Sequence, residues 1–202
     1  MAVLYTTVAK EAHVEQTIEK SRFLAHIKPV FSREEAEEYI RQIRAQYKDA
    51  THNVPAFVIG EKQQVQWGSD DGEPSGTSGT PIAVYLAKEG LTNVVVVVTR
   101  WFGGIKLGPG GLVRAYTGSA RMAVEAAGRL EVREYKTVRV RIEYPLLGKL
   151  QTLEKNMPFE IKNIAYTDRV ELSLRFEPEA EETVMAALSD LCNGSPWILQ
   201  EQ

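Results

Sequence analysis

The sequence predicts an α+β fold in two domains, residues 1–134 and residues 135–202. Apolar runs with strand character alternate with segments of helical period along the whole chain. From residue 135 the elements read strand, helix, strand, strand, helix, strand. That is the ferredoxin-like βαββαβ order, fitted into about 65 residues. Two glycine-rich polar stretches, Ser69–Gly79 and Arg100–Gly111, mark long loops, and both fall in the first domain.

The elements follow in order. The opening segment alternates weakly and then reads KSRFLAHIKPV, a strand. Ser32 and Glu35 have the spacing of a capping box. Ala36, Tyr39, Ile40, Ile43 and Tyr47 then share one helical face. Asn53–Gly60 and Gln64–Trp67 are two strands joined by a polar turn. Thr80 is placed to cap a helix with Pro81 at its first position, ending near Gly90. Asn93–Thr99, with its run of valines, is a buried strand, and Leu112–Ala127 is a helix. In the second domain Val138, Val140, Ile142 and Tyr144 alternate with polar residues in a strand with one wet face. A helix over Leu147–Lys155 follows. The strand Phe159–Tyr166 slips at Asn163, as a bulge would make it do. Val170–Phe176 is the next strand, Glu179–Cys192 a helix stopped by Gly194, and Trp197–Gln200 a last strand.

Composition narrows the function classes. Hydrophobic residues make up 44% and charged residues 25%, ordinary for a globular protein. No apolar run reaches the roughly 18 residues of a membrane helix. The N-terminal residues lack the pattern of a secretory signal. Cys192 is the single cysteine, so there is no internal disulfide, and the expected compartment is the cytoplasm. A net charge of −3 argues against bulk nucleic-acid binding, and no DNA or membrane partner is expected. The charge is segregated, however. Residues 63–87 hold Asp70, Asp71 and Glu73 and no Lys or Arg. Residues 90–124 hold Arg100, Lys106, Arg114 and Arg121 and no acid.

The basic stretch TRWFGGIKLGPGGLVRAY follows a strand and precedes a helix. Gly103, Gly104, Gly108, Gly110 and Gly111 would let backbone N–H groups crowd around an anion, with Arg100, Lys106 and Arg114 completing a phosphate cradle. The alternative is a tight structural loop whose glycines serve packing. It is not a Walker A loop, because Pro109 follows Gly108 where lysine is required. The acidic loop, with Asp70, Asp71, Glu73 and Ser75, has three readings: pairing with the arginines, a Mg²⁺ or acid/base site, or recognition of a basic partner. His13, His26 and His52 lie in no metal-ligand spacing. Only His52, beside Asn53 at a strand start, is a candidate for a functional role. No catalytic residue, metal or cofactor is expected.

Four motifs, KSRFLAHI, ATHNVPAFVIG, SDDGEPSGTSGTP and VVVTRWFGGIKLGPGGLVRAY, resemble in order and spacing those of the IMPACT family, in its bacterial YigZ-like branch. Val54 and Phe57 stand where relatives often have Cys and Tyr. Ser78 and Pro109 stand where Ala is usual. The change at 54 removes any Cys–His pair with His52. The resemblance implies a first domain like the second domain of ribosomal small-subunit protein S-five, a fold also present in elongation factor G. It implies a second domain like the ferredoxin-like C-terminal domain of that factor. Eukaryotic relatives regulate translation by binding a co-activator of a starvation-sensing kinase. Bacteria lack that pathway, so that partner does not transfer. A proline-dipeptidase label carried by some relatives finds no His/Asp/Glu metal set here.

The expected function is a non-catalytic, translation-associated regulator that binds the ribosome, RNA or a translation factor through the basic glycine loop. The alternatives are an enzyme acting on a phosphorylated small molecule or RNA, which would require a divalent metal, and an interaction regulator using the acidic loop. Steep salt dependence marks the first reading against the last.

Overall fold

The computed structural model describes residues 3–192 and 197–201. It falls into two compact units, Leu4–Val132 and the residues from Arg133 onward, which also take in Val3.

The first unit runs β1 (Val3–Val8), β2 (Ala12–Ile18), β3 (Ser21–Pro29), α1 (Arg33–Gln46), β4 (His52–Ile59), β5 (Val65–Gly68), α2 (Gly79–Lys88), β6 (Val94–Trp101), α3 (Gly108–Ala127) and β7 (Arg129–Arg133). Five strands make one antiparallel sheet in the order β2-β3-β6-β4-β5. Successive strand residues point to opposite faces. Val94, Val96 and Val98 therefore join Phe23, Val54, Ala56 and Tyr116 under α2 and α3, while Val95 and Val97 join Phe57 under α1. Both faces are covered, so the valine run reads as unbroken apolar sequence.

The second unit runs β8 (Lys136–Ile142), α4 (Tyr144–Glu154), β9 (Glu160–Tyr166), β10 (Val170–Phe176), α5 (Glu181–Leu191) and β11 (Trp197–Glu201). This is the βαββαβ order, in a four-stranded sheet β11-β8-β10-β9. Val138, Val140, Ile142, Leu172, Leu174, Val184 and Leu188 form its core. The β9–β10 register shifts opposite Glu171–Ser173, and Asn163 takes a φ of 51° there, the bulge expected at this residue.

Several boundaries differ from expectation. The opening segment is three strands, with β2 and β3 forming a hairpin through Glu19 and Lys20, both at positive φ. The helix after the acidic loop starts at Gly79, not after Thr80, because a carboxylate binds its first N–H groups. Tyr144 opens α4 instead of ending β8. Ser32 accepts from Glu35 N–H as expected, but the Glu35 carboxylate accepts from Phe31 N–H, one residue before the box position. Gly194 lies outside the described residues.

Candidate functional site

The site forms where the central strand leaves the sheet. β6 does not stop at Thr99 but continues through Trp101, because Arg100 still pairs with Phe23 of β3 and His52 of β4. This corrects the expectation that Arg100 belongs to the glycine loop. By strand alternation its side chain continues the row of Val94, Val96 and Val98, toward α3.

A guanidinium buried there must be paired and hydrogen-bonded. Arg100 Nη1 donates to Glu73 Oε1 at 2.5 Å, with only 5% and 4% of the two side chains exposed. Arg100 Nη2 donates to Ser21 Oγ at 3.2 Å, and Tyr116 Oη donates to Glu73 Oε1 at 2.7 Å. Burial, and then the bond to Glu73, push the Tyr116 phenol pKa up, so it remains a donor. His52 Nδ1 lies 2.8 Å from the Asp71 carbonyl, which can only accept, so Nδ1 carries the proton. His52 Nε2 then faces Glu73 Oε1 at 3.7 Å.

All three carboxylates of the acidic loop are engaged within the unit. Asp70 accepts from Gly76 N–H, Ser78 N–H, Ser78 Oγ–H and Gly79 N–H. Burial pushes its pKa up, but these four donors outweigh burial and hold it below the usual aspartate value. Asp71 bridges Arg44 and Asn53 N–H. Asn53 itself is buried, bonded to the Tyr47 carbonyl and Thr99. Asp71 and Glu73 pair with arginines, Arg44 and Arg100, whereas Asp70 pairs with backbone N–H groups and Ser78. No group of acidic, His or Cys side chains among the described residues is disposed to hold a metal ion. Ser75 is exposed on the loop surface. Burial and then Glu143 push the Cys192 thiol pKa up, so it is no ready nucleophile.

The basic segment divides in two. Residues 102–107 form a loop, whereas Gly108, Gly110 and Gly111 lie in the first turn of α3, with Pro109 near its start where a missing N–H costs nothing. Gly103 must be glycine. A Cβ there would sit 2.0 Å from the Lys20 backbone, and its N–H donates to Ser21 Oγ. Gly104 and Gly108 adopt φ of 88° and 69° in open space, so their need is conformational.

The start of α3 is arranged against the usual helix rule. No side chain caps it and its first turn holds no acid. Helix N-termini carry partial positive charge and favour anions. Here they meet cations instead: Lys106 just precedes the helix, and Arg114 Nη1 lies 3.6 Å from the point a Gly110 Cβ would occupy. Lys20, Lys106 and Arg114 are exposed and, among the described residues, form no ion pair. Lys106 stands between two clefts. One, of ≈ 400 Å³, runs beside Ile18, Ile105 and Arg114. The other, of ≈ 380 Å³, has Arg100 and Glu73 at its floor and His52, Phe102 and Leu112 around it. The signal for the Arg100 network was the charge segregation. Nothing in the sequence singled out Ser21, Tyr116 or Lys20.

The Impact N-terminal domain model matches residues 19–124, and a domain of unknown function, DUF1949, matches residues 140–195. The chain is 40% identical over 190 residues to the IMPACT family member YvyE of Bacillus subtilis, covering 94% of this chain and 88% of that one. It is 32% identical over 189 residues to YigZ of Escherichia coli, covering 92% of each. A crystal structure of a hypothetical protein superposes with a TM-score of 0.62 at 31% identity over 96% of both chains. With both domains matched in order and the four motifs gathered in the first of them, the chain belongs to the IMPACT family.

Proposed function

We propose that this protein is a non-catalytic, translation-associated regulator that binds RNA phosphates through the start of α3 and the loop before it. One observation carries the reading. The three carboxylates of the acidic loop are all engaged inside the fold, while Lys20, Lys106 and Arg114 stand exposed near an uncapped helix N-terminus and outnumber the one exposed acid beside them, Glu19. An anion there meets the bare N–H groups of a glycine turn, the helix dipole and free cations together. Arg100 supports the surface from below and does not contact the ligand at the rim. The link to translation that the motifs imply supports ribosomal RNA, or RNA held by a translation factor, as the source of the phosphate. The enzyme alternative has little support, since no pair of carboxylates in the acidic loop is left open to solvent for metal or acid/base work.

Three cations limit the electrostatic affinity, so binding is expected to be modest and salt-sensitive. Co-sedimentation with ribosomes across a salt series tests the reading. Wild type should pellet with ribosomes at low salt and be released as salt rises, and Lys106→Glu should pellet less at every salt concentration. Failure of wild type to bind ribosomes or structured RNA at low salt would reject it.

A further inference from the structure

The cleft floored by Arg100 and Glu73 combines features that a bare phosphate does not use. Its lining includes Lys106, Gly108 at the start of α3, Leu112 one turn further along that helix, and Phe102, which is 46% exposed. Arg100 is 4% exposed; its Nη1 and Nη2 are hydrogen-bonded and its guanidinium lies over the Phe23 and Phe102 rings, 5.3 and 5.4 Å from their centroids. His52 is fixed at the wall by its bond to the Asp71 carbonyl. A mostly apolar cleft with a few convergent polar groups is the usual form of a small-ligand site. The ≈ 380 Å³ available is within the range of such sites.

From this geometry we infer that the cleft is a subsite for one phosphorylated nucleoside, its phosphate at Lys106 and the α3 terminus and its base against Phe102. The aromatic ring supplies a stacking face that accepts any base. The wall supplies His52 Nε2 as an acceptor for base or sugar edges, while Arg100 holds the floor beneath. The inference rests on the phosphate-binding reading of the α3 terminus and adds the ligand's organic half to it.

The test is calorimetric titration of the full chain with AMP, UMP, adenosine and inorganic phosphate. AMP and UMP should both bind about tenfold or more tightly than either adenosine or phosphate, the scale of one base stacked on an aromatic ring. Phe102→Ala should remove the advantage of AMP over phosphate and leave phosphate binding unchanged. Phe102 is half exposed, so the fold should survive its truncation. Lys106→Gln should weaken AMP and phosphate together. Equal affinity of wild type for AMP and phosphate, or an unchanged AMP affinity in Phe102→Ala, would overturn the inference. RNA binding without AMP binding would remove the subsite and leave the α3 reading standing. AMP binding without RNA binding would keep the subsite and its phosphate contact at α3 and remove RNA as the ligand. If AMP displaces a bound oligoribonucleotide, the nucleotide in the cleft belongs to the RNA chain. If both bind at once, the ligand is a free nucleotide. Either result upholds the subsite.

Discussion

Arg100 and Glu73 meet at 2.5 Å between β6 and the loop before α2, and Tyr116 of α3 donates to the same carboxylate oxygen. A buried ion pair of this kind is poor support for stability in itself, because desolvation offsets the attraction. Removing one partner is nevertheless severe. Glu73→Gln should therefore destabilise the first unit by about 3–5 kcal/mol. Arg100→Glu, which a solvent-facing loop cation would tolerate, should prevent folding. Replacing the group together, as Arg100→Met with Glu73→Leu and Tyr116→Phe, should restore most of the stability. Urea denaturation followed by circular dichroism checks all three. A Glu73→Gln midpoint equal to wild type would show that the pair is solvated.

Acid should destabilise the protein in two windows. His26 is buried, and burial, then His13, lowers its pKa to about 4. The unfolded chain binds this proton near the ordinary value of 6.5 while the folded chain does not, so stability falls between about 6.5 and 4 and no further below. Asp70 has the opposite chemistry and the same direction of effect. Its folded pKa lies below the ordinary 3.8, so its contribution is present above that value and is lost as pH falls through the lowered one. His26→Phe should flatten the first window and Asp70→Asn the second, read from denaturation midpoints across pH. Wild-type stability that is constant from pH 6.5 to 4 would contradict the first.

Two neighbouring glycines should respond differently to alanine. At Gly103 the new Cβ meets the Lys20 carbonyl carbon and oxygen at 2.0 Å, and backbone must move. The expected cost is about 1–3 kcal/mol or more, with disruption of the loop's geometry and of phosphate binding. At Gly104 nothing lies within 4 Å, and only the positive φ is strained, about 1 kcal/mol. Equal thermal shifts for the two variants would sink the packing account of Gly103.

The cations at the start of α3 imply a conflict between stability and binding. Lys106→Glu puts an acid beside a helix N-terminus and should stabilise the free protein by about 0.3–1 kcal/mol. The same change should weaken RNA binding and make the salt slope of log affinity shallower by roughly 0.7–0.9 for each phosphate that is no longer neutralised. Arg114→Glu should flatten the slope likewise. Arg121→Glu should not, since Arg121 lies further along α3 over the Tyr85 ring. Thermal melts and filter binding over a salt series measure the two halves separately.

Much of the fold was legible because its patterns are local. The valine run, the alternation of β8 and β10 and the face of α1 all follow from periodicity. The β2–β3 hairpin was hidden because Glu19 and Lys20 take positive φ without glycine or asparagine to mark the turn. The end of β6 was hidden because charged Arg100 follows the valine run and leads straight into a glycine-rich stretch. Only cross-strand pairing with Phe23 and His52 shows that the strand continues. The charge segregation revealed that acidic and basic segments would meet. It did not reveal which cation would be withdrawn from solvent, because that depends on the parity of one strand against α3.

The acidic loop is tied down at three separate places. Asp70 holds the start of α2, Asp71 holds α1 and β4, and Glu73 holds β6 and α3. Helices from both faces of the sheet are thus laced together at its open end by one short stretch of chain. Such a stretch does not swing as a lid, and its bonded amides, those of Glu73, Gly76 and Ser78, should exchange with solvent more slowly than those of exposed Gly72 and Ser75. Whatever enters the cleft meets a wall already in its final shape, so little ordering entropy opposes association there, and selectivity falls to the ligand's own fit.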